Sequence, residues 1–158
     1  MFRIDNALIE QVKSEITRTP STSVYTDEQE IEMRLIDNAF LLNIEFDFQI
    51  SKQGDFFVLA GFQNEPVEIA IKRLLILNTA LDIITSNILV GGAKASEEIT
   101  LGQAGYRYTQ SATLVTQAYA DLKERRDYIL ALLRRHLSDD SFSIDLIEAA
   151  EERYGFRD

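Results

Sequence analysis

The chain has 158 residues, 46% of them hydrophobic, and a formal net charge of −10. That length is one domain of ordinary size, able to bury about 68–70% of the surface its unfolded form exposes, and the composition argues against wholesale disorder. With no cysteine and one histidine, disulfides, thiolate zinc sites and paired histidine ligands within the chain are excluded, and a chain this acidic repels phosphate backbones rather than reading nucleic acid.

The opening residues Met1 to Asn6 lack a basic stretch followed by an apolar one, so no secretory leader is expected, and the absence of cysteine suits a reducing, intracellular compartment. A first helix is expected over about 5–18, because Ile4, Leu8, Val12 and Ile16 recur at every fourth position. Thr17 to Ser23 reads as a polar linker around Pro20. A second helix starts at Thr26, where Thr26 and Gln29 have the spacing of a capping box and Asp27 and Glu28 favour the positive helix end. Ile31, Leu35, Ala39, Leu42 and Phe46 form its apolar stripe. Ile44 to Ile50 alternates strictly, Ser51 to Asp55 reads as a turn and Phe56 to Leu59 is apolar, which predicts a short hairpin over 44–59, the other reading being an aromatic-rich loop packed on the helices.

The third helix runs from Asn64, its cap, through Pro66 in the first turn to a stop at Gly91–Gly92. It is apolar nearly all round from Val67 to Val90, which places it at the centre of its domain or against neighbouring subunits. Glu68, Lys72, Arg73 and Asp82 interrupt that run, so no membrane span is expected. Ser96 to Tyr108 alternates at Ile99 and Leu101 and again at Tyr106 and Tyr108 around Arg107, with Gly102 to Gly105 between, predicting a second hairpin. A fourth helix covers about 111–137, with Val115, Ala118, Tyr119, Leu122, Ile129, Leu132 and Leu133 on one face. A short fifth follows Ser143. The fold class expected is mainly α: a single domain over 1–158, a bundle of about four to five helices with one or two short β-hairpins. Residues 1–25 are its lead helix and linker, and 138–158 an acidic C-terminal segment.

Charge is uneven. From Glu28 to Ile50 six acids (Glu28, Glu30, Glu32, Asp37, Glu45, Asp47) face Arg34 alone, a net of −5, and Ser138 to Asp158 is again −5. Between them lies a basic stretch with Lys123, Arg125, Arg126, Arg134 and Arg135. Acidic patches and a basic helix on one chain suit head-to-tail contact between copies, though a well-solvated surface has the same composition.

Catalytic motifs are sparse. His136 sits among arginines at a helix end, where a solvated cation is the ordinary role. There is no Gly-x-Ser-x-Gly elbow, and Gly91-Gly92-Ala93-Lys94 lacks the spacing of a phosphate loop. Asp121 with Glu124 and Glu148 with Glu151 are spaced for a magnesium site of the kind found in all-α nucleotide pyrophosphohydrolases. With 26 acids among 158 residues such spacings arise by chance, so no enzyme activity, metal or cofactor is expected.

The order of elements, with the segment Glu97 to Tyr108 between two long helices and Tyr119-Ala120-Asp121-Leu122-Lys123-Glu124-Arg125 after it, resembles the head-to-tail connector adaptors of tailed phages over about residues 25–137. The hairpin at 44–59 departs from the simplest form of that pattern. The resemblance implies a viral structural protein in a homo-oligomeric ring, commonly of about twelve subunits. On that resemblance the ring would be assembled in the host cytoplasm and sit in the virion neck. Its partners would be the portal and the tail or neck proteins, with DNA passing non-specifically through an acidic lumen and no membrane contact. On that reading Ile99, Leu101, Tyr106, Arg107 and Tyr108 form a subunit contact, Phe142, Ile144 and Ile147 a docking segment, and Glu28, Glu30, Glu32 and Asp37 the acidic lumen or contact patch. A small cellular helical regulatory protein would share the same composition.

Overall fold

The computed structural model describes residues 1–17, 27–98 and 104–136, with side-chain surroundings for 1–16, 27–86, 117 and 119–135. In chain order the elements are β1 (Phe2–Ile4), α1 (Asn6–Thr17), α2 (Glu28–Phe46), β2 (Gln49–Gln53), β3 (Phe56–Ala60), α3 (Glu65–Glu98) and α4 (Ala104–His136). The protein is mainly helical with a small antiparallel sheet of order β1-β3-β2.

A short strand, β1, precedes the expected first helix, which forms as α1. Ile4 keeps the fourth-position spacing of Leu8, Val12 and Ile16 and is buried with them, but it reaches the core from β1, opposite Phe57. Asp5 ends the strand and starts α1, its carboxylate accepting from the Leu8 amide at 3.1 Å. α2 is capped by Asp27, whose carboxylate accepts from the Gln29 amide at 3.2 Å, one residue later than the expected cap; Thr26 lies outside the described residues.

The alternation from Ile44 misleads at its start. Ile44, Glu45 and Phe46 complete α2: Phe46 follows Leu42 at i+4 and packs half-buried against the core, while Ile44 is left exposed. It stops at Asp47, which takes the left-handed conformation (φ 47°) and returns its N–H to Asn43 O at 2.9 Å, while the Asn43 side-chain amide donates to Phe48 O. The chain then enters β2, turns at Gly54 and Asp55, and comes back as β3. Gly54 has φ +62° at this two-residue turn, a conformation that glycine adopts without a side-chain penalty. One face of the sheet carries Phe2, Ile4, Ile50, Phe57 and Leu59 toward the helices. Phe62 stacks on Phe2 at 5.6 Å and leans on Phe48 at 5.3 Å, closing the sheet against the start of α3.

α3 begins where Asn64 accepts from the Val67 amide at 3.0 Å. It packs against α1, α2 and α4. Ala70, Ile71, Leu74, Leu75, Leu77 and Ala80 are all fully buried, so from Val67 to Ile84 its circumferential apolarity is satisfied by this chain's own elements. Val67 lies beside Leu133, so α3 and α4 run antiparallel. At 34 and 33 residues they are each about 50 Å long.

Two expectations are corrected here. α3 does not stop at Gly91–Gly92 but continues to Glu98. Two interior glycines cost only about 1 kcal/mol each against alanine, and Ala93, Lys94, Ala95, Glu97 and Glu98 after them are strong helix formers. The second hairpin is not formed by the residues assigned to it. Ser96 to Glu98 end α3, and Ala104, Gly105, Tyr106, Arg107 and Tyr108 open α4, seven residues before its expected start. A three-residue Tyr-Arg-Tyr alternation is too short to outweigh helical flanks on both sides. Ile99 and Leu101, and the expected fifth helix, lie outside the described residues.

Candidate functional site

α2 has two apolar stripes. Ile31, Leu35, Asn38 and Leu42 follow an i, i+4, i+7, i+11 spacing and face the core. Met33, Asp37, Phe40 and Ile44 repeat that spacing two positions later, and two positions are about 200° around a helix. The second stripe therefore looks away from the core. Met33 is 60% exposed, Phe40 50%, Leu41 63% and Ile44 83%. Four large apolar side chains in a row on one solvent-facing helix surface are unlike the scattered exposed apolar residues of ordinary surfaces.

The inner stripe fixes α2 firmly enough to present this face. Asn38 is buried, and its side-chain amide donates to Arg34 O at 3.0 Å and to Asp82 Oδ2 on α3 at 2.8 Å, with Thr79 Oγ1 at 3.5 Å. A buried amide with directional partners sets the rotation of α2 on α3 more sharply than apolar packing alone.

The four expected acidic residues lie on α2 but not on one face. Glu28 turns to Lys13 on α1 at 2.6 Å, and Glu30 accepts from Arg34 at 2.9 Å. Asp37 sits inside the outer stripe, and among the described residues it has no ion-pair partner. At the other end Glu45 binds Arg134 of α4 at 2.6 Å, whose guanidinium is thereby held above its usual pKa. The basic stretch is also partly spent inside the molecule. Arg125 is buried at 8% exposure and reaches both oxygens of Glu15 on α1, at 3.1 and 3.2 Å.

A second surface lies across the sheet. A groove of about 440 Å³ is lined by Met1, Phe2, Arg3, Phe56, Val58 and Lys72 among others. Arg3 lies 5.4 Å over the Phe56 ring and 3.2 Å from Asp5. Met1 and Phe56 are 74% and 42% exposed; with the α2 residues they are all the exposed large hydrophobics among the described residues.

Of the other expected site residues, Tyr106, Arg107 and Tyr108 fall in the first turns of α4, while Phe142, Ile144 and Ile147 lie outside the described residues, as do Glu148 and Glu151. Asp121 and Glu124 are both exposed, and no three His, Cys, Asp or Glu side chains among the described residues gather to hold a metal ion. No described helix is long and apolar enough to cross a membrane. The outer stripe of α2 was readable: Met33, Phe40 and Ile44 carry it, but the stronger inner stripe two positions earlier masks it.

No family model matches the chain, and no curated protein or solved structure matches it either.

Proposed function

We propose that this chain is a non-catalytic assembly subunit whose outer α2 face is covered by another protein chain. The observation that carries this reading is the exposed row Met33, Phe40, Leu41 and Ile44 on a helix whose rotation is fixed by a buried hydrogen-bonded amide. Aromatic and methionine side chains standing in water on a rigid surface are what partner chains bury.

Within that class, the particular form we propose is a head-to-tail connector of a tailed-phage neck, a ring subunit between portal and tail with DNA passing through. A pair of long antiparallel helices following two shorter helices and a small sheet supports it. The helical state of Tyr106 to Tyr108 removes one segment on which the likeness rested. The connector form therefore leans on element order and on the α2 face.

The class is tested by replacing Phe40 and Ile44 with aspartate and measuring solution mass, alone and with a portal protein. Wild type is expected to form a defined multimer or to be captured by the portal. The Phe40→Asp/Ile44→Asp protein is expected to stay folded and do neither. Capture of the variant as readily as wild type would sink the reading.

A further inference from the structure

We infer that the partner of the α2 face is a second copy of this chain, which receives it in the groove beside β1. This rests on the assembly reading above and names its occupant.

The exposed large apolar side chains of the described residues fall on just these two surfaces, four on α2 and two at the groove. Their charges decide between a contact of α2 with α2 and a contact of α2 with the groove. Asp37 lies within the apolar stripe, so any chain covering Phe40 and Ile44 also covers its carboxylate. If two α2 helices pack parallel, Asp37 meets Asp37. If they pack antiparallel about the stripe's centre, Asp37 faces Phe40 of the other copy. Both arrangements desolvate the Asp37 carboxylate with no cation opposite it, which is strongly unfavourable.

The groove supplies the missing cation. Lys72, from α3, lines it and has no ion-pair partner among the described residues; Arg3, 5.4 Å over the Phe56 ring, is matched by Asp5, which also lines the groove, so Lys72 is the cation left to answer Asp37. Phe2, Leu8, Phe56 and Val58 give an apolar floor for Phe40 and Ile44. Seating the α2 stripe there pairs Asp37 with Lys72 and covers both exposed apolar surfaces at once. Because the two surfaces differ, each copy has one of each to offer. The contact is heterologous and propagates into a ring or a filament.

A charge exchange tests this. Asp37→Lys and Lys72→Asp proteins, checked for wild-type melting, are each expected to associate about tenfold or more weakly than wild type by light scattering. Mixed in equal amounts they should assemble again, because every contact in an alternating chain then pairs opposite charges. A second measurement uses the absence of native cysteine. Ile44→Cys and Phe56→Cys proteins should each resist a short bis-maleimide when alone and form crosslinked dimers when mixed. Crosslinking of Ile44→Cys with itself, a mixture of charge variants that stays monomeric, or a wild type that never self-associates would each overturn the inference. In the last case the assembly reading survives if the portal still captures wild type and not Phe40→Asp/Ile44→Asp; it falls with the inference if both are captured alike.

Discussion

Glu15 and Arg125 are charged residues 110 positions apart that meet with almost no water around them, their side chains 6% and 10% exposed. Burying two ions gains little net stability, but removing one takes the counter-ion from a charge that stays buried. Arg125→Met or Glu15→Gln is therefore expected to cost about 3–5 kcal/mol in urea unfolding, and the double replacement clearly less than the sum of the two. An additive double mutant would mean the pair is not coupled. Lys13 is the opposite case, an exposed amine between Glu10 and Glu28 at 2.7 and 2.6 Å. Hydrogen bonds from the ammonium to those carboxylates, Glu10 first, raise its pKa above the ordinary 10.5. A folded pKa above the unfolded one means the contribution is fully present below pH 10.5 and lost as pH rises through the folded value. Melting curves of wild type and Lys13→Met should differ at pH 7 and converge at strongly alkaline pH.

At the scale of elements, caps and glycines set the boundaries. Asp27→Ala should cost about 1 kcal/mol by leaving the Gln29 amide without its acceptor. Gly91→Ala and Gly92→Ala should each stabilise α3 by up to about 1 kcal/mol, since both positions are helical. A loss on thermal unfolding would instead mean that another backbone approaches them closely. Most elements could be read from periodicity, because Leu8 to Ile16, Ile31 to Leu42, Val67 to Ile84 and Leu122 to Leu133 are core stripes of amphipathic or buried helices. Boundaries were less legible. Phe2 to Ile4 is too short to alternate visibly, and its strand exists only because β3, more than fifty residues later, pairs with it. Ile44 to Phe46 has strand alternation but obeys the helix that precedes it, and the Gly91–Gly92 stop loses to helix formers on its far side. At the candidate site, the acids of α2 were visible but their sorting was not, because Glu28 and Glu30 find cations that only folding brings near or aligns.

On the scale of the whole molecule, α3 is covered by its own chain from Val67 to Ile84. The broad apolar stripe of Val67 to Ile84 therefore gives no reason for a partner. What asks for one is smaller and lies elsewhere, on the far side of α2. Polar substitution at Phe40 should leave folding nearly untouched, since exposed positions away from caps and core change stability by about 0.5 kcal/mol or less, whereas aspartate at Ile44, in the last turn of α2, adds a dipole cost of about 0.3–1 kcal/mol. The most direct test is the solution mass of wild type and of Phe40→Asp/Ile44→Asp, measured by light scattering over a range of concentrations, without and with a portal protein. A wild type that assembles or is captured, beside a folded variant that stays monomeric and is not, is the expected result. Equal behaviour of the two proteins would contradict the assembly role of the α2 face.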